Sequence, residues 1–257
     1  VHPPIEAVFT VDEEVGMDGA FALDCSDLKG RRLLNLDSEM EGVFTVSCAG
    51  GMRSDCFFPA ALTPAEGMDV CKLTISGLQG GHSGADIHLG RGSANRLMGR
   101  VLCAALEKFP GLRLAAIDGG EFDNVICSRC EAAAALPAGN GQAFAAFARE
   151  FDAALKNEYA VTDPGVALEC VPSSADRAVS PERTAVLLRA LAVLPHGVEA
   201  MDTDFPGLVQ TSLNMGVVRL DDAGLHVTFS IRSSIASRKE MLAQRVRAAA
   251  ELAGGTV

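Results

Sequence analysis

Three consecutive carboxylates, Asp12, Glu13 and Glu14 in "FTVDEEVGMDGA" (9–20), stand where an apolar run stops and a glycine-bearing turn starts. Adjacent ionised carboxylates repel, so such a run belongs either in open water or beside a cation or shared proton that compensates it. A further acid, Asp37, closes a second apolar run in "LLNLDSEMEG" (33–42). Two neighbouring parallel strands that end in acids bring them to one sheet edge, where open α/β sheets place their sites. Oxygen ligands from two strand ends can hold a divalent metal, while a carboxylate left free of the metal takes a proton from the attacking water. Glu13 and Glu14 point differently on an extended segment and can divide those tasks, and Gly16 and Gly19 allow the tight turn that follows. A solvated acidic loop has the same composition, so the run alone leaves both readings open.

Other residue types with chemical potential lie downstream. His82 sits in the glycine-rich "GGHSGADIH" (80–88) after a strand-like run, as an exposed loop histidine or as a hydrogen-bond donor to a ligand; His88 reads as surface. In "LHVTFSIRS" (225–233), Leu225, Val227, Phe229 and Ile231 alternate with His226, Thr228, Ser230 and Arg232. An arginine there is commonly solvated or ion-paired, yet its planar fork also suits a bidentate grip on a carboxylate. Cys127 and Cys130 form a C-x-x-C, but "NVICSRCEAAAAL" reads as strand, with residues three apart on opposite faces and no second cysteine or histidine pair to complete a zinc site.

The elements that must position these residues fall into two patterns. Short apolar runs at 5–12, 32–37 and 43–50, with room for only a short helix between the first two, predict strands of a parallel or mixed sheet. The stretch "GGMRSDCFFPAALTPAEG" (50–67) reads as a boundary. Beyond it, half-exposed strands are predicted at 69–78, 112–118, 123–136, 166–171, 209–220 and 224–234. One-sided helices follow from apolar spacing near 93–109, 141–157, 181–194 and 238–253, with Ser93 and Ser180 as N-caps, Pro181 in a first turn, and Ser237 with Glu240 as a capping box. The fold class is α/β plus α+β, the second part being a sheet covered by helices on one face.

Composition excludes several functions. Acidic residues outnumber basic ones 33 to 22, a formal charge of -11, and no basic cluster tracks a phosphate backbone, so nucleic acid is excluded as the expected partner. No apolar run reaches the roughly 20 residues of a membrane helix, and the first residues lack a signal-peptide pattern, which predicts a cytoplasmic chain without membrane contact. Eight scattered cysteines fit reduced thiols in a chain of this size.

Taken in order, "TVDEEVGMDGA", "NLDSEMEG", "VSCAGG", "LTISGLQGGHSGADIHLGRGSAN", "TSLNMGVV" and "FSIRSS" resemble the bacterial Xaa-His dipeptidases, carnosinase-like di-zinc peptidases of the aminoacylase and carboxypeptidase superfamily. The resemblance runs over essentially the whole chain. It implies Glu13 as general base, Glu14 and Asp37 as ligands to two zinc ions, His82 as a group that polarises the scissile carbonyl across a twofold interface, and Arg232 as the anchor for the substrate's C-terminal carboxylate. Asn124 and Asn214 lie in segments that resemble the family's further substrate contacts. The implied organisation is a partial catalytic domain over 1–68 and a lid or dimerisation domain over 69–257, in a homodimer that hydrolyses dipeptides. The family's H-x-D segment, a bridging Asp upstream of the acidic pair and a final histidine ligand have no counterparts here. The resemblance therefore implies a fragment of a longer enzyme, which by itself would lack dipeptidase activity and would not keep both metals. The same machinery acting on N-acyl amino acids, or a non-catalytic dimerisation module, are the alternative readings.

Overall fold

The computed structural model describes residues 2–13, 17–34 and 41–257, which divide into a unit ending at Ser47 and a unit over Cys48–Val257. In the first unit the regular element among the described residues is one turn of helix, α1 (Asp18–Phe21). Just before it, Met17 N–H donates to the Asp12 carbonyl at 2.7 Å. Residues 5–12 and 43–49 form no strand, and the described residues 32–34 of the run at 32–37 are likewise outside any strand. A doubly buried strand needs hydrogen-bonded neighbours on its edges and cover on both faces. The described residues of this unit supply neither, and Phe9, Leu33, Phe44 and Val46 are 90–93% exposed.

The second unit is built on an eight-stranded antiparallel sheet. The stretch expected to be a boundary supplies β1 (Gly50–Pro59) and β2 (Leu62–Pro64). Then come β3 (Asp69–Ser76), β4 (Gly81–His82), a single 3-10 turn at Ile87–Leu89, α2 (Ala94–Lys108), β5 (Arg113–Gly119), β6 (Val125–Ile126), β7 (Cys130–Leu136) and α3 (Gly141–Glu158). The chain ends with β8 (Ala167–Ser173), β9 (Arg177–Val179), α4 (Pro181–Val193), β10 (Gly197–Met201), β11 (Val209–Leu220), β12 (Gly224–Ser233) and α5 (Ala236–Leu252). Spatially the sheet runs β1-β12-β11-β5-β7-β3-β8, with β10 also on β11.

Period-two alternation assigns the two faces. Leu73, Ile75, Ala132, Ala134, Phe229 and Ile231 enter one core with Met98 and Leu102 of α2, Phe144 of α3, Leu188 of α4 and Val246 of α5. Each such side chain, when fully buried, contributes about 1.5–3 kcal/mol of apolar transfer energy if it is large. On the opposite face Val70 and Ala135 meet Ala65 and Ala178 of the β2–β9 ribbon. Arg113 locks that ribbon down by donating to the carbonyls of Thr63, Pro64, Ala178 and Val179. Helix starts follow the chemistry unevenly. Ser180 caps α4 by accepting from Arg183 N–H, with Pro181 at the first position, as predicted. Ser93 occupies the N-cap of α2 without making that bond, and α5 begins at Ala236, so Ser237 lies inside the helix and the predicted capping box is not formed.

β11 is where the sheet forks. Its first half pairs with β10 over 209–213, whereas β5 pairs with it only at Val218 and Arg219. Between the two partners the strand bulges at Met215–Val217. The orphaned carbonyls at the fork are taken up by Asn95, fully buried at the start of α2, whose amide faces Gly119, Met215 and Gly216 oxygens at 3.0–3.3 Å.

Candidate active site on the glycine-rich loop

The loop between β3 and α2 is closed by buried acid chemistry. Asp163, fully buried, accepts from Gln79 N–H at 2.7 Å with one oxygen and from Gly92 N–H at 2.8 Å with the other, pinning both ends of the loop. Inside it, Asp86 accepts from His82 N–H at 2.9 Å, and Arg91 donates to the Gly80 carbonyl at 2.7 Å. Gly81 has φ +135, and a Cβ there would strike Arg91 Nη1 and Asp86 Oδ2 at 2.6 Å, so glycine is required.

This loop presents His82 on β4, which pairs antiparallel with Val125 of β6. The imidazole is exposed, and its Nδ1 accepts from Ala85 N–H at 3.2 Å, so in the neutral ring the hydrogen sits on Nε2. Arg232 projects from β12, where its backbone neighbours are Gly51 on β1 and Ser212 on β11. Its guanidinium is partly buried, its Nε has no hydrogen-bond partner, and among the described residues no carboxylate pairs with it. The two side chains meet at Gly84, where a Cβ would lie 3.0 Å from His82 Cε1 and 3.4 Å from Arg232 Cζ. A donor nitrogen and an uncompensated guanidinium on either side of a bare glycine form a site for a carboxylate or a developing oxyanion.

The other assigned residues fall in three places. Asn124, partly exposed, lies on the loop beside His82 and accepts from Ser83 N–H at 2.8 Å through its carbonyl. Asn214, 1% exposed on β11, donates to the Asp123 and Val125 carbonyls, both at 2.8 Å. Glu13 is exposed in the first unit, while Glu14 and Asp37 lie outside the described residues. Among the described residues no group of three or more His, Cys, Asp or Glu side chains is placed to hold a metal, so these residues alone do not make a zinc site. Cys127 and Cys130 are buried, and burial raises the first thiol to about 11 and pushes the second well above 9.0, which suits inert core thiols. A cavity of about 520 Å³ lies beyond the same loop, lined by Asp118, Phe122, Val125, Arg129 and Arg219, and contains neither His82 nor Arg232.

Residues 73–163 match the M20 peptidase dimerisation domain. The sequence is 36% identical over 257 residues to the cytosol non-specific dipeptidase of Escherichia coli (strain K12), a match covering 99% of this chain and 53% of that protein. The crystal structure of aminoacylhistidine dipeptidase from Vibrio alginolyticus aligns with a TM-score of 0.84 at 36% identity, over 96% of this chain and 51% of that one. The chain is similar to these dipeptidases in sequence and fold. It spans about half the length of each. Among its described residues no helix is long and apolar enough to cross a membrane.

Two residues that shape the site without touching its open surface are not marked as site residues by sequence pattern. Asn95 carried a usable signal, since it is a polar side chain in phase with Met98 and Leu102 on the apolar stripe of α2. Asp163 carried none, because Asp before Pro-Gly in "TDPG" reads as an ordinary turn.

Proposed function

We propose that this chain serves a metal-dependent dipeptidase that hydrolyses Xaa-His or similar dipeptides in the cytoplasm as a homodimer, with residues 69–257 as its lid or dimerisation domain. One observation carries the reading: the His82 ring and the Arg232 guanidinium, which has no carboxylate partner among the described residues, both lie within 3.4 Å of where a Cβ on Gly84 would sit. Arg232 takes the substrate's terminal carboxylate by paired N–H donors, a geometry that lysine does not reproduce. His82 offers Nε2–H to the scissile carbonyl as it becomes an oxyanion, and Asn124 holds the neighbouring Ser83 N–H through its backbone carbonyl. Glu13 accepts the proton of the attacking water and returns it to the leaving amine. Glu14 and Asp37 would each help to hold one of two zinc ions, which when bound would supply Lewis-acid chemistry.

The proposal is tested in the full-length dimer with a panel of Xaa-His dipeptides, other dipeptides and N-acyl amino acids. Arg232→Lys should raise KM for dipeptides about 10- to 100-fold with a smaller change in kcat, as expected for loss of a bidentate charge-assisted contact. Glu13→Gln should keep the zinc content and lower kcat by about 100-fold or more. Preference for N-acyl amino acids would move the substrate class to that alternative, and an Arg232→Lys enzyme with unchanged KM would refute the anchor.

A further inference from the structure

We propose that Asn214 is a positioning residue, which sets the place of His82 by clamping the loop opposite it, and that it does not contact substrate. The consequence for turnover rests on the dipeptidase reading; the clamp itself rests on geometry alone. A primary amide has two N–H donors, and Asn214 commits both, to the carbonyls of Asp123 and Val125 at 2.8 Å each. Its Oδ1 is buried from solvent and has no partner among the described residues. No polar atom of this side chain is therefore presented to an incoming molecule.

The clamped carbonyls bracket Asn124, whose own carbonyl receives Ser83 N–H, and Val125 is the residue paired with His82. The β4–β6 ribbon has only two residue pairs, far below what a hairpin needs to hold itself in water. Its placement must come from outside. Asn214 supplies it from β11, a strand fixed by β10 and β12, and Gly216 lets the loop close against the bulge: a Cβ there would lie 2.5 Å from Asp123 Cα. Rigid strand, amide clamp, loop and ribbon thus connect the sheet fork to the imidazole.

The experiment uses Asn214→Ala and Asn214→Asp in the full-length dimer, each also combined with His82→Ala. Amide hydrogen exchange, which needs no substrate, should accelerate at least tenfold at His82, Ser83 and Val125 while Leu73 and Ala134 in the central strands stay protected. Dipeptide turnover should fall about 100-fold in kcat with KM within threefold, the scale expected when a catalytic group is displaced by about 1 Å. The double variants should be no slower than His82→Ala alone. Unchanged exchange at the ribbon overturns the clamp whatever the substrate is. A raised KM with additive double variants overturns it in favour of direct contact, and lost protection of the central strands in both single variants overturns it in favour of a general role in folding. If the ribbon loosens but no dipeptide is hydrolysed even by the unaltered protein, the clamp stands and the dipeptidase reading fails.

Discussion

Acid should loosen the fork of the sheet through one histidine. His196 follows α4, partly buried, and its Nδ1 accepts from Met215 N–H at 3.0 Å, at the bulge where β11 changes partners. Burial, reinforced by the positive charge of Arg96, lowers its pKa from 6.5 to about 4. The remaining charged groups lining the same cavity are Glu199 of β10 and Arg245 of α5, which pair with each other at 2.9 Å. Because the folded value is depressed, the neutral ring is the stabilised form. Stability is complete above pH 6.5; below it the unfolded chain takes up the proton first, and the loss grows until the folded form also titrates near pH 4. A drop of that size corresponds to about 3 kcal/mol at 1.36 kcal/mol per tenfold change in proton affinity. For a unit of this length that is about 6–12 °C in Tm. The assay is thermal unfolding from pH 7 to pH 4, comparing the unaltered protein with His196→Asn, whose side-chain oxygen can accept the Met215 N–H without titrating. The unaltered protein should lose about 6–12 °C more than the variant over that range. Parallel curves, or an NMR titration that places His196 near 6.5, would refute the reasoning.

Two further outcomes follow from other buried groups. Asp163→Ala leaves the Gln79 and Gly92 N–H groups without their charged acceptor, and should cost about 2–4 kcal/mol in urea unfolding; a loss below about 1 kcal/mol would show that water replaces it. At pH 8 a thiol reagent should modify the exposed Cys25 and Cys48 first and spare Cys127 and Cys130, whose burial raises their pKa values; mass spectrometry finding either of the latter among the first sites would contradict the packing.

The helices were legible because each has a continuous apolar stripe: α2, α3 and α4 start and stop within two residues of their predicted bounds. Of the long strands, β12 was legible for the parallel reason, alternation of buried and half-buried residues along its length, whereas β3 and β11 were legible as apolar-rich runs that are buried on both faces over much of their length. β1 was missed although Ser54, Cys56 and Phe58 alternate inward, because "GGMRSDCFFP" begins with two glycines and ends in proline, the composition of a linker. The ribbons β2–β9 and β4–β6 have three and two residue pairs, too few to leave a periodic trace. The predicted strand at 123–136 splits into β6 and β7 because Cys127 turns out of the ladder to bond with Asn95 Oδ1 and the Arg129 carbonyl.

Residue chemistry was determined by the sequence itself: an acidic run after an apolar one, a histidine in a glycine-rich loop, an arginine alternating with buried side chains. Those are local properties, readable from neighbours in the chain. Which of them share a site was decided only by the tertiary structure. His82 and Arg232 come together because the closed loop and β12 converge on Gly84, where a Cβ would crowd the imidazole at 3.0 Å and the guanidinium at 3.4 Å. Asn214, which by sequence looks as ready to bind a ligand as either, spends its amide on two backbone carbonyls that only the folded fork brings within reach.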